Sequence, residues 1–172
     1  MDVVSQPAVV IRERRPEDLP ALVPVLAESH QASAYPVNWP ADPPRWLTPD
    51  GLLGAWVAEV DGVVLGHIAL VMAGEVTSGP WAADTGRPAD EAAEVSRVFV
   101  AEAAQGKSVG RRLLDAACAY AKAQGRHPIL GVLDHNRSAI AMYERAGWRR
   151  LASVDFPLSD TRIALMHCYA AP

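Results

Sequence analysis

Cysteine is scarce in this chain, and so is any surplus of positive charge. The two cysteines, Cys118 and Cys168, lie far apart and lack the paired spacing of a zinc site or a thiol redox motif. Both read as small buried hydrophobes, so neither a disulfide nor a metal centre is expected. The net charge is −4, and Lys107 and Lys122 are the only lysines. Nucleic acid is therefore excluded as the expected partner, because phosphate binding needs clustered Lys and Arg to displace counterions. No apolar run is long enough for a membrane span. The opening MDVVSQPAVVIRERR passes from an acidic start through a short apolar stretch to a charged cluster, which fits neither a secretory leader nor an anchor. A cytoplasmic protein with no membrane partner is expected.

What is present is hydrophobic content of 50% over 172 residues, enough for one core, and a single domain spanning 1–172 is the simplest organisation. Val9 to Arg14 reads as a strand. Pro16, Glu17 and Asp18 suit a helix start running to about Ser29, although Pro20 and Pro24 count against a regular helix there. From His30 to Asp50, five prolines interrupt Tyr35, Trp39 and Trp46, so an aromatic-rich loop is expected. Two β-rich runs, Ala55 to Val60 and Val63 to Met72, flank Asp61-Gly62 and predict a hairpin with a type I′ turn. From Ala73 to Ala92 the pattern lapses into Gly, Pro and acidic residues around Trp81, which reads as a structureless insertion at a pocket rim.

Glu94 to Val100 reads as a buried strand, and Val109 to Gln124 carries apolar residues at helical spacing closed by Gly125. Ile129 to Leu133 is a further strand, Asn136 caps a short helix, and Gly147 suits the left-handed residue that ends it. Trp148 to Phe156 and Arg162 to Tyr169 form a last hairpin.

The chemistry concentrates at Val98-Phe99-Val100 and the following Gln105-Gly106-Lys107-Ser108-Val109-Gly110. A loop of small residues at a helix start offers unpaired backbone N–H groups at the positive end of the dipole, as a pyrophosphate requires. Lys107 and Arg111 add charge there. An ordinary strand-to-helix turn is the plain alternative. The loop ends in Gly106-Lys107-Ser108 but lacks the full spacing of a P-loop, Ala101 standing where its first glycine would be, and it also lacks the three-glycine pattern of a dinucleotide fold.

Glu94 through Gly110 resembles the acetyl-CoA segment of the GCN5-related N-acetyltransferases, whose loop reads Gln/Arg-x-x-Gly-x-Gly/Ala. Gln105 and Gly110 match, Ser108 stands where glycine is usual, and Glu102 where proline is frequent. Further on, Asn136-Arg137-Ser138-Ala139-Ile140-Ala141-Met142-Tyr143-Glu144-Arg145-Ala146-Gly147-Trp148 is similar to the family's Asn-x-x-Ala-x-x-x-Tyr-Glu-x-x-Gly-Phe signature. The two motifs occur in the family's order. The resemblance implies an α+β fold of mixed layers, with a twisted, mostly antiparallel sheet of six or seven strands and helices on both faces.

It also implies acetyl-CoA as acyl donor and transfer of the acetyl group to a primary amine. Val98, Phe99, Val100, Gln105 to Arg111, Asn136 and Tyr143 would hold the donor. A backbone N–H near Val98 would stabilise negative charge on the thioester oxygen. Asn136 and Tyr143, two helical turns apart, share a face roughly 10 Å long. One can hold the pantetheine arm while Tyr143, a phenol that stays protonated at neutral pH, gives a proton to the departing thiolate. A helix cap and a core aromatic are the structural alternatives for this pair.

Glu94 is the candidate base for the amine, a salt bridge to Arg97 being its structural alternative, with His30, His67 and His135 as other bases. The acceptor would lie among Tyr35, Trp39, Trp46 and the Trp81 insertion. Glu75, Asp84, Asp90, Glu91 and Glu94 make that insertion acidic, so a cationic small amine is expected. Core tryptophans beside a solvated acidic loop are the alternative. A protein N-terminus or lysine as acceptor, or a non-catalytic acyl-CoA-binding module, are the competing functions. Many relatives pair through terminal strands or helices, which admits a homodimer.

Overall fold

The computed structural model describes residues 8–172, and the opening Met1 to Pro7, on which the leader reading partly rests, lie outside them. Five helices and seven strands follow one another as β1 (Val9–Glu13), α1 (Asp18–Ser33), α2 (Pro43–Trp46), β2 (Leu52–Val60), β3 (Val63–Met72), α3 (Glu75–Thr85), β4 (Ala92–Val100), α4 (Val109–Ala123), β5 (His127–Leu133), α5 (Arg137–Arg145), β6 (Arg149–Ser159) and β7 (Arg162–Ala170). The strands form one sheet in the order β1-β2-β3-β4-β5-β7-β6. Every neighbouring pair is antiparallel except β4 with β5. This is the mixed, mostly antiparallel sheet expected. Among the described residues no helix is long and apolar enough to cross a membrane.

The helices divide between the two faces. On one, Val109, Leu113, Leu114, Ala117 and Ala121 of α4 and Ile140 and Tyr143 of α5 pack on Trp56, Ala58, Val95, Leu130 and Tyr169. On the other, Leu22, Val25 and Leu26 of α1 cover Val57 and Phe99, and Trp81 of α3 packs on Ala92, Ile129 and Ala170. Turn chemistry at Asp61 and Gly62 follows the sequence, with φ of 51° and 80° closing the β2-β3 hairpin.

Two prolines do not stop α1, which runs four residues beyond the expected end. Pro20 stands in the first turn, where an N–H has no helical acceptor to lose, and Pro24 is exposed so that the carbonyl it orphans faces water. Arg12 grips the start of the helix with a two-pronged bond to Asp18 at 2.7 and 2.8 Å and also reaches Glu59. The hydrogen bond from Arg12 holds the Asp18 carboxyl below its ordinary range.

The expected insertion is corrected more sharply, because Glu75–Thr85 is a helix. Its apolar and small residues Thr77, Ser78 and Trp81 are buried against the sheet. Pro80 cannot donate to the Val76 carbonyl, and the Cys168 thiol donates to it instead at 3.5 Å. Tertiary burial of Trp81, stacked on His127, outweighs the local cost of Gly79 and Pro80.

Strand β4 changes character halfway along. Ala93 and Val95 face α4, but so do Val98 and Val100, while Phe99 and Ala101 face α1. Strict alternation would put 93, 95 and 97 on one side, so one extra residue has been inserted. The register to β3 shifts there, and Arg97 has φ of 54°. A non-glycine residue in that region costs about 1–2 kcal/mol. His67 holds it in place. The imidazole is fully buried, its Nδ1 donates to the Arg97 carbonyl at 2.7 Å, and its Nε2 accepts from Arg14 Nη1 at 3.0 Å.

Burial and this arrangement push His67 down to about 3 from 6.5. The unfolded chain therefore binds the proton more readily, and stability is lost as pH falls from about 6.5 toward 3, by up to about 1.4 kcal/mol per pH unit. Urea unfolding from pH 7 to pH 4 should show this slope in the wild type and a flatter one in His67→Gln. Parallel slopes would contradict the assignment.

Candidate active site

Parallel pairing of β4 with β5 reaches only as far as Glu94 with Ile129. Beyond it the bulge carries β4 away, and a cavity of about 1350 Å³ opens between the strands. Ser96, Val98 and Val100 form one wall, and Gly131, Val132 and Leu133 the other.

One end of the cavity is a nest of backbone donors. Gly106 and Ser108 adopt left-handed φ of 76° and 59°. From Gly106 to Arg111 the backbone N–H groups find no protein acceptor among the described residues. Such a run at a helix start is an anion site by geometry and dipole together. Ser108 keeps the left-handed conformation that glycine favours, so its Cβ has not changed the handedness of the loop. Glu102, at the position where proline is frequent, uses its N–H to donate to Glu28 Oε1 at 2.6 Å.

Most of the sequence-derived positions meet here, in differing ways. Gln105, Gly106, Ser108, Val109, Gly110, Arg111, Asn136 and Tyr143 all border the cavity with Val98, Phe99 and Val100. Lys107 does not border it, and its Nζ donates to the Ala103 carbonyl. The Phe99 side chain is buried and stacked on His67, which leaves its backbone to the cavity. Arg111 pairs with Asp115. Gly110 also serves a packing contact, since a Cβ there would sit 3.0 Å from Met142 Sδ. Its bareness lets α5 approach α4.

Asn136 stands at the N-cap position of α5 but makes no side-chain cap bond, so its amide is left for the cavity. Tyr143 is buried against Trp148, and its hydroxyl has no partner among the described hydrogen bonds. Burial drives its pKa well above the usual phenol value. The phenol therefore rests protonated at pH 7, with its proton available to donate and a phenolate formed only transiently.

The other end is polar and aromatic. Glu94 accepts a hydrogen bond from Thr77 Oγ1, and burial raises its pKa. The alternative for Glu94, a salt bridge to Arg97, does not form among the described residues; Arg97 binds the Trp46 carbonyl and Ser96 Oγ instead. Tyr35, read only as a pocket aromatic, brings its hydroxyl near the backbone N–H groups of Arg97 and Val98, and burial pushes its pKa up to about 12.

Several expectations fail here. None of His30, His67 and His135 borders the cavity. Trp81 is core and Trp39 is exposed beside His30. Two of the five acids of the insertion are paired, Asp84 with Arg149 and Glu91 with Arg87; Asp90 does not border the cavity, and Glu75 and Glu94 remain at the rim. Thr77 and Gly131 were missed. A Cβ at Gly131 would lie 2.7 Å from Met166 Sδ and 3.0 Å from Thr77 Cγ2, so this glycine lets α3 deliver Thr77 to Glu94.

The chain matches the Acetyltransferase (GNAT) family over residues 19–148. It belongs to that family. Among solved structures it is similar to an N-acetyltransferase from Staphylococcus aureus Mu50, with TM-score 0.74, 19% identity and coverage of 95% of this chain and 97% of that one. A candidate acetyltransferase from Salmonella typhimurium, solved with its cofactor acetyl-CoA, gives TM-score 0.70 at 23% identity, covering 95% and 92%. The ribosomal-protein-alanine N-acetyltransferase of Brucella melitensis gives 0.68 at 25% identity, covering 94% and 98%. A comparison with curated proteins finds no match. The GNAT assignment agrees with the fold and sheet order described above.

Thr77→Val keeps the side-chain size and removes the donor to Glu94. Because that bond lowers the carboxyl's pKa, its loss should move Glu94 ionisation further up. A carbon-detected NMR titration of Glu94 in both proteins checks this, and an unmoved or lowered midpoint would contradict the geometry.

Proposed function

We propose that this GNAT chain transfers an acetyl group from acetyl-CoA to a primary amine of a small molecule, acting as a single domain over 1–172. The observation that carries the reading is the alignment along one cavity of a free N–H nest at Gly106 to Arg111, an uncapped Asn136 amide, the Tyr143 hydroxyl and a buried Glu94. An anion-bearing donor fits the first, and proton transfer the last two.

Bound acetyl-CoA supplies a thioester whose carbonyl carbon is attacked by the amine. The N–H groups of the 106–111 loop hold the pyrophosphate, and Asn136 binds the polar arm. The Val98 N–H, with the Tyr35 hydroxyl beside it, faces the oxygen on which negative charge gathers. Glu94 takes a proton from the incoming ammonium, directly or through water, and its raised pKa makes it a stronger base than a surface carboxylate. Tyr143 gives its proton to the departing thiolate.

A small acceptor is favoured by the way the far end is walled. Asn38 Nδ2 donates to the Leu158 carbonyl at 3.1 Å, and this bond links the segment after α1 to the β6-β7 hairpin across the rim. A peptide would need that edge open. The cationic preference expected from the acidic insertion now rests on Glu94 and Glu75 alone.

Tyr143→Phe should lower kcat about 100-fold or more in a thiol-release assay, with acetyl-CoA affinity by calorimetry changed less than about threefold. Equal turnover by the variant would remove Tyr143 from the mechanism. Acetyl-CoA binding without amine-dependent thiol release, for small amines and peptides alike, would leave the non-catalytic reading in its place.

A further inference from the structure

Arg97 is a half-buried cation with no carboxylate in salt-bridge contact among the described residues, although Glu94 lies close enough to feel its charge. Among the described residues, Arg12, Arg87, Arg111, Arg137, Arg149 and Arg150 each pair with a carboxylate, while Arg97 is one of several arginines, Arg14 among them, that pair with none. Its guanidinium is nevertheless fixed. It lies over the Trp46 ring, 4.3 Å from the centroid, its Nε donates to the Trp46 carbonyl at 3.2 Å, and its Nη1 donates to Ser96 Oγ at 2.9 Å. Nη2 has no protein acceptor among the described hydrogen bonds. Arg145 also borders the cavity but is exposed at the end of α5. Arg97 instead projects from the bulge in the middle of the sheet, three residues after Glu94.

The aromatic face expected to receive a cationic substrate is therefore already covered by a cation of the protein's own. An immobilised guanidinium with Nη2 unused on a cavity wall is suited to a carboxylate, which its planar donors match in geometry as well as charge. Glu94, held by Thr77 on the same stretch of strand, is suited to an ammonium group.

Resting on the acetyltransferase reading, we propose that the acceptor is an amino acid or a similar amine that also carries a carboxylate, with Arg97 binding the carboxylate and Glu94 receiving the amine's proton. The left-handed backbone at Arg97 gives the side chain its place. An ordinary strand residue there would follow the alternation of Ala93 and Val95 toward α4, away from Trp46.

The test is an acceptor panel in the thiol-release assay. Amino acids with amine and carboxylate separated by one, two and three carbons, including those with the twenty standard side chains, are each compared with their own carboxamides. The wild type should prefer at least one acid to its amide by about 10- to 100-fold in kcat/KM, the range expected for one charge-assisted interaction. Arg97→Gly suits the left-handed backbone, and Arg97→Gln keeps much of the side chain's reach. Both should shrink the acid-to-amide ratio to below about threefold through KM, while Arg97→Lys retains part of it. Calorimetric binding of acetyl-CoA by each variant shows that it is folded. Amides used as well as acids by the wild type, or an unchanged ratio in Arg97→Gly, would overturn the proposal and leave amine acetylation standing. Acetyl-CoA binding with no acceptor turned over would overturn the acetyltransferase reading, and this inference with it.

Discussion

The geometry of the cavity depends on one left-handed residue in the middle of a strand. At Arg97 the chain takes a backbone conformation that an L side chain enters at a cost, and the fully buried His67 keeps it there by donating its Nδ1–H to the Arg97 carbonyl. The consequences reach in both directions. Side chains before and after residue 97 swap faces, so Val98 and Val100 turn toward α4 and Phe99 toward α1. The strand also parts from β5 after Glu94. A regular strand in the same place would pair further along, and the space between β4 and β5 would be filled with ladder bonds instead of an accessible backbone.

The lock itself is anchored beyond His67. Arg14 Nη1 lies 3.0 Å from His67 and 2.6 Å from the Leu47 carbonyl, and Arg14 Nη2 donates to Thr48 Oγ1. This short polar chain ties the end of β1 and the turn after α2 to the bulge in β4. Such a buried network imposes a single arrangement only when every member is satisfied, and a neutral imidazole is required for the Nε2 to accept. The donor end of the cavity is built differently, from backbone alone, and tolerates Ser108 because a left-handed N-cap costs little beside the contacts of the helix that follows.

The sequence made the strand order's local pieces legible wherever turn chemistry was unambiguous. Asp61-Gly62, Gly125 and Gly147 each sit at the positive φ their spacing implied. The two family-like motifs led to the loop at Gly106 and to Asn136 and Tyr143, which share one cavity. Long-range contacts set what was not legible. Gly79 and Pro80 read as breakers, yet Trp81 burial and a thiol donor from β7 sustain a helix through them. Asp84 and Glu91 read as an acidic rim, yet arginines on distant or neighbouring turns neutralise them. No local pattern marks Arg97 as left-handed, because the cause is a histidine thirty residues away in sequence. The displaced side chain was for the same reason assigned to Glu94.

The central claim is that the opening made by this bulge receives an acyl-CoA between β4 and β5. Titrating ¹⁵N-labelled protein with acetyl-CoA tests it most directly, at concentrations up to about 1 mM, the upper end of ordinary substrate affinities. The account predicts saturable shifts concentrated on the amides of Val98, Gly106 to Arg111 and the Asn136 side chain, with those of β6 outside the cavity unmoved. Absence of saturable shifts, or shifts confined to residues away from the β4-β5 opening, would contradict it.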